Sequence, residues 1–85
     1  MKISEDVIVT VYFKNQGFSV DMEIPSFMSV IYVKAKILSM IKVMDSVSFS
    51  SAFDMELFFK GQKLSNESNF ASCDIWDGSV VEAIV

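Results

Sequence analysis

Only one side chain in this sequence could act as a thiol nucleophile, Cys73, and it lacks the partners that such chemistry needs. A cysteine attacks as its thiolate, which requires a nearby base or positive charge. The chain contains no histidine, and the neighbouring Asp74 disfavours the anion. Cys73 therefore reads as a small packing residue. A single cysteine without histidine also cannot assemble a zinc site. Two carboxylate pairs have a spacing that could support acid–base work, Asp74 with Asp77 and Glu82 with the C-terminal carboxylate. One pair brackets a turn and the other sits on a terminal strand, with no flanking apolar pocket to raise a pKa, so both read as solvated surface. Gly17, Gly61 and Gly78 are isolated turn residues and build no phosphate cradle. The expectation is a protein that is not an enzyme and uses no cofactor or metal.

Charge narrows the partners. The net charge is -4, the seven basic residues are scattered lysines, and arginine is absent. Nucleic acid, whose phosphates require clustered cations, is excluded as a partner class. Bidentate phosphate forks are missing as well. Other proteins remain. One cysteine permits no internal disulfide, which fits a reducing compartment. Residues 1–6 carry a lysine and two acids with no long apolar run behind them, unlike a secretory leader. No apolar stretch approaches the roughly 20 residues of a spanning helix. A cytoplasmic protein without direct membrane insertion is expected.

The elements that position these residues follow from periodicity. In residues 7–13, Val7, Val9, Val11 and Phe13 alternate with Ile8, Thr10 and Tyr12, giving a strand with two fairly apolar faces. A polar turn ending at Gly17 leads to 18–24, where Phe18, Val20, Met22 and Ile24 face one way and Ser19, Asp21 and Glu23 the other. Pro25 ends that strand. Ser26 and Ser29 are credible N-caps. Val30, Val33, Ile37, Ile41 and Met44 then recur at helical spacing, predicting a helix over 30–44 with Lys34, Lys36 and Lys42 largely off its apolar face. Residues 45–54, which include Val47, Phe49 and Phe53, read as a loop whose aromatics tuck beneath it as a satellite cluster. A third strand covers 55–59, residues 60–63 turn, 65–77 is irregular and pinned by Phe70 and Ile75, and the last strand covers 79–85. One domain over 1–85, with a mixed sheet of four to five strands packed on one helix, is the expected α+β architecture. If the first and last strands are neighbours, strands two and three form the sheet edges.

This pattern resembles the ubiquitin-like β-grasp family over nearly the whole chain. Val33-Lys34-Ala35-Lys36-Ile37 repeats the ubiquitin helix motif VKAKI, and Leu57 to Leu64, LFFKGQKL, is similar to its LIFAGKQL. From there the match runs to Val85 without a gap, with Phe70, Ile75, Val81 and Ala83 at core positions. The segment between helix and third strand is longer than in ubiquitin, and the sequence ends Glu82-Ala83-Ile84-Val85 without a terminal Gly-Gly. The sequence also resembles the small tailless ubiquitin-like proteins of the YukD/EsaB type that accompany bacterial type VII (WXG-type) secretion. It shares their short length, a VTVYF-like strand before a polar hairpin, the KGQKL turn, and an I-x-DG motif at Ile75, Asp77 and Gly78. That resemblance implies a cytosolic, non-conjugated accessory or regulatory factor. A modifier or sulfur carrier whose Gly-Gly tail is missing here, and a module that mimics ubiquitin, stay open as alternatives.

Period two sends Leu57, Phe59, Val81 and Ala83 toward the helix, and Phe58, Val80, Glu82 and Ile84 outward. In the ubiquitin match Phe58 and Ile84 fall on the isoleucine and valine of its recognition patch, and Glu82 replaces the histidine. These four residues are the expected protein-binding surface. Trp76, beside the Asp77-Gly78 turn, is a further candidate, either as an interface anchor or as a cap on its own loop. Ile31, Ala35 and Leu38 on the helix read as core before partner groove.

Overall fold

The computed structural model describes residues 6–44 and 55–84. Its elements are β1 (Asp6–Phe13), β2 (Phe18–Pro25), α1 (Val30–Met44), β3 (Glu56–Phe59), β4 (Gln62–Lys63) and β5 (Val80–Ile84). The five strands form one sheet in the order β2-β1-β5-β3-β4. β1 and β5 run parallel, and the other pairs are antiparallel. The helix covers one face of this sheet, which is the α+β arrangement expected from the pattern.

Alternation decides which face is covered. Val7, Val9, Val11 and Phe13 on β1, Leu57 on β3, and Val81 and Ala83 on β5 are buried. They meet Val30, Val33, Ile37 and Ile41 of α1, and Phe70 and Ile75 of the irregular segment close the same core. On β2 the inward set is graded, with Met22 and Ile24 buried and Phe18 and Val20 partly buried against the core. Phe13 and Phe18 stack at the hairpin end with ring centroids 4.7 Å apart. Phe59 shares the inward parity but remains only partly buried, with the Lys60 ammonium 5.3 Å from its ring centroid. It lies on β3 beside a two-residue edge strand, so little chain extends past it to seal it.

Several expectations change. The edges are β2 and β4, not strands two and three. Lys60 and Gly61 both take positive φ, 52° and 81°, which makes a two-residue hairpin of the kind whose twist matches paired strands. That turn allows Phe59↔Gln62 and Phe58↔Lys63 to pair, so residues first read as a turn contribute a strand. The helix start is closed from a distance: the Val30 amide donates to the Ser68 carbonyl at 2.8 Å, and the Ile31 amide to that of Asn66 at 3.2 Å. The Ser29 carbonyl accepts from Tyr32 and Val33, so Ser29 is the boundary residue, while Ser26 is buried one turn earlier. Lys34, expected off the apolar face, is buried and donates to Asn66 Oδ1 at 2.6 Å. Its position three, four and seven residues before Ile37, Leu38 and Ile41 places its stem on the apolar stripe, and the ammonium reaches out to the irregular segment. The 45–54 loop with its expected cluster of Phe49 and Phe53, the side chain of Met44, and Val85 lie outside the described residues.

Candidate functional site on the outer face of the sheet

Register turns the outward residues into a surface. One row crosses all five strands: Lys63 opposite Phe58, Phe58 opposite Glu82, Glu82 beside Tyr12, and Tyr12 opposite Ser19. Above and below it lie Glu56 opposite Ile84, and Val80 beside Thr10, which faces Asp21. Directly opposed residues on an antiparallel face have Cβ atoms about 4.5–5.5 Å apart, and neighbouring strands of either kind lie about 4.8 Å apart. The outward face therefore brings together four of the five expected residues, Phe58, Val80, Glu82 and Ile84. Val80 is 52% exposed; Phe58, Glu82 and Ile84 are half-buried by their neighbours on the face.

Two further members come from β1. Ile8 is 55% exposed, and Tyr12 is half-buried beside Glu82. Both were visible as the alternate face of the first strand. Only the parallel β1–β5 pairing assigns them to this surface. The patch is then Ile8, Tyr12, Phe58, Val80 and Ile84, with Glu82 among them. Its polar rim is tied down. Thr10 Oγ1 donates to Asp21 Oδ1 at 2.7 Å, and Lys63 Nζ pairs with Glu56 Oε2 at 2.8 Å. The Lys63 hydrogen bond, and then its charge, hold the Glu56 carboxyl below the usual glutamate range.

Trp76 belongs to the loop that leads into β5. Its indole Nε1 donates to Asp74 Oδ1 at 2.7 Å, and its backbone amide to Ser79 Oγ at 3.1 Å. It is thus fastened within its own loop, yet 42% exposed. The same loop grips β1, with the Ile8 amide donating to Asp77 Oδ1 at 2.7 Å and the Gly78 amide to the Ile8 carbonyl at 2.9 Å. Asp74 and Asp77 accept from different donors and work as loop fasteners. Cys73 is partly buried against the core, with Sγ 3.7 Å from Ser68 Oγ. On the helix, Leu38 is buried, Ile31 half-buried and Ala35 exposed, so the three form no continuous groove. Among the described residues, no group of three or more His, Cys, Asp or Glu side chains could hold a metal ion, and no helix is long and apolar enough to cross a membrane.

The architecture is that of the ubiquitin-like β-grasp fold. Solved structures with the same fold include the ubiquitin of Caldiarchaeum subterraneum, with a TM-score of 0.77 at 18% identity over 95% of this chain and 94% of that one. An N-terminal ubiquitin-like domain solved in solution matches with a TM-score of 0.79 at 21% identity, covering 96% of this chain and 76% of its own. The ubiquitin-like domain of an Arabidopsis thaliana protein matches with a TM-score of 0.71 at 19% identity, covering 98% and 80%. No protein-family model and no curated protein sequence matches the chain.

Proposed function

We propose that this chain is a non-catalytic, ubiquitin-like protein-interaction domain that docks partner proteins through the outer face of its sheet. The observation that carries this reading is the gathering of Ile8, Tyr12, Phe58, Val80 and Ile84 on one face that no described element covers. Scattered surface hydrophobics are ordinary, but a contiguous patch rimmed by polar groups marks an interaction site. An aromatic at its middle supplies contact area with few rotamers to freeze. Trp76, exposed on the adjoining loop, joins the surface as an accessory anchor.

The finer assignment is a cytoplasmic accessory or regulatory factor of a bacterial type VII secretion system, acting without conjugation. It rests on the KGQKL turn at residues 60–64 and on Ile75, Asp77 and Gly78, whose loop fastens β1 to the start of β5. The test is co-purification from the native host with secretion-system components, comparing wild type with Phe58→Ala. The reading expects a secretion ATPase or small WXG-type proteins with the wild type, and their loss with the variant. Recovery of ordinary ubiquitin receptors, or no dependence on Phe58, overturns it.

A further inference from the structure

The outer face is apolar in its middle but acidic in charge. Along the paired strands its outward positions carry Asp6, Asp21, Glu23, Glu56 and Glu82 against one lysine, Lys63. That lysine is engaged by Glu56 at 2.8 Å, and Asp21 accepts from Thr10 at 2.7 Å. Glu82 differs from both. Among the described residues it forms no ion pair or side-chain hydrogen bond, although it sits at the centre of the row, half-buried between Phe58 on β3 and Tyr12 on β1. A carboxylate framed by two aromatic side chains, with Ile84 and Val80 two residues to either side on β5, would be costly to cover with an apolar partner. Desolvating an unpaired charge is unfavourable unless the partner brings a counter-charge.

We infer that the outer face receives a basic side chain of the partner, an arginine in the first instance, seated on Glu82 between Tyr12 and Phe58. This rests on the outer face being the docking surface and names the chemistry of what docks there. An arginine satisfies all three neighbours at once. Its guanidinium donates two parallel hydrogen bonds to the carboxylate, and its plane lies favourably against aromatic faces. Lysine satisfies the charge but not the fork. The surrounding acids add a field that draws a cationic partner toward the patch, so association weakens as salt is raised.

The test is a titration of the ¹⁵N-labelled protein with blocked Leu-Arg-Leu and Leu-Gln-Leu tripeptides, followed by amide shifts, in wild type and in Glu82→Gln. Glu82 has no side-chain partner among the described residues to lose, so the variant should fold, and unchanged spectra on the helix verify it. The expected result is shifts centred on Tyr12, Phe58 and Glu82, with the arginine peptide bound roughly tenfold more tightly than the glutamine peptide, the scale of a hydrogen bond to a charged group. That preference disappears in Glu82→Gln and shrinks in Phe58→Leu, which keeps the carboxylate but removes a ring. If both peptides shift the outer face equally, the Glu82 inference falls and the docking face stands. If neither peptide shifts it, both fall. A preference for arginine that survives Glu82→Gln also overturns the inference.

Discussion

Leu57 and Phe58 are adjacent on β3 and point to opposite faces, so truncating each in turn separates core from surface. Leu57 is fully buried, packed in the cluster shared by sheet and helix. Leu57→Ala opens a cavity that its neighbours fill only in part, a change worth about 2–5 kcal/mol. A domain of this size holds about 4–13 kcal/mol in total at ordinary stability per residue. With a loss near 3 kcal/mol, the melting temperature should fall by about 12–24 °C at roughly 4–8 °C per kcal/mol. Phe58 lies on the open face, half-exposed, with Lys63 and Glu82 as its cross-strand neighbours. Its removal leaves no enclosed void, so the loss should stay under about 1 kcal/mol, or less than about 8 °C. Binding should respond in reverse: Phe58→Ala weakens partner affinity by about 5–30-fold, the 1–2 kcal/mol of an interface aromatic. Circular dichroism melts and a binding isotherm on the two variants read this out. A Phe58→Ala protein that melts as low as Leu57→Ala would falsify the assignment of faces, and every outward residue with it.

Three further outcomes follow from particular contacts. Gly61 has φ of 81° and no atom of the described residues within 4 Å of where a Cβ would stand, so Gly61→Ala meets backbone strain and should cost about 1–2 kcal/mol by chemical denaturation. Burial holds the Lys34 ammonium below the ordinary lysine value of 10.5, with the Glu56 charge offsetting part of the effect and Lys63 adding to it. The folded state then binds this proton less tightly than the unfolded chain, so stability rises with pH through the window that ends at the ordinary value. Urea midpoints measured up that alkaline range should climb in wild type relative to Lys34→Met, and a difference that is flat or falls contradicts the burial of the charge. The Cys73 thiol lies 3.7 Å from Ser68 Oγ and borders the core, so Cys73→Ser should retain partner binding and lose no more than about 1–2 kcal/mol of stability.

The strands, the helix and the two faces were legible because each leaves a period in the sequence. The 30–44 helix is bounded as its spacing indicates, and the 18–24 strand runs one residue further, to Pro25. What was hidden depends on partners distant along the chain. Nothing local at Lys34 announces Asn66, and nothing at Val30 announces the Ser68 carbonyl that takes its amide. The strand at Gln62–Lys63 is too short to show alternation and exists through the two-residue turn before it. The candidate surface was divided in the same way. Phe58, Val80, Glu82 and Ile84 share an outward parity that can be read within their own strands. Ile8 and Tyr12 join them only through the parallel pairing of β1 with β5, a topological fact that no local pattern encodes.

The two tyrosines offer the most direct test of the docking surface, because they lie on opposite sides of the core. Tyr12 stands on the outer face beside Glu82, and Tyr32 is exposed on the helix. A photo-crosslinking phenylalanine analogue placed at either position in the native host marks which side meets a partner. Docking through the sheet predicts a covalent adduct from position 12, competed away by excess unlabelled wild-type protein, and none from position 32. An adduct from position 32 with none from position 12 would contradict it and move the interaction to the helix.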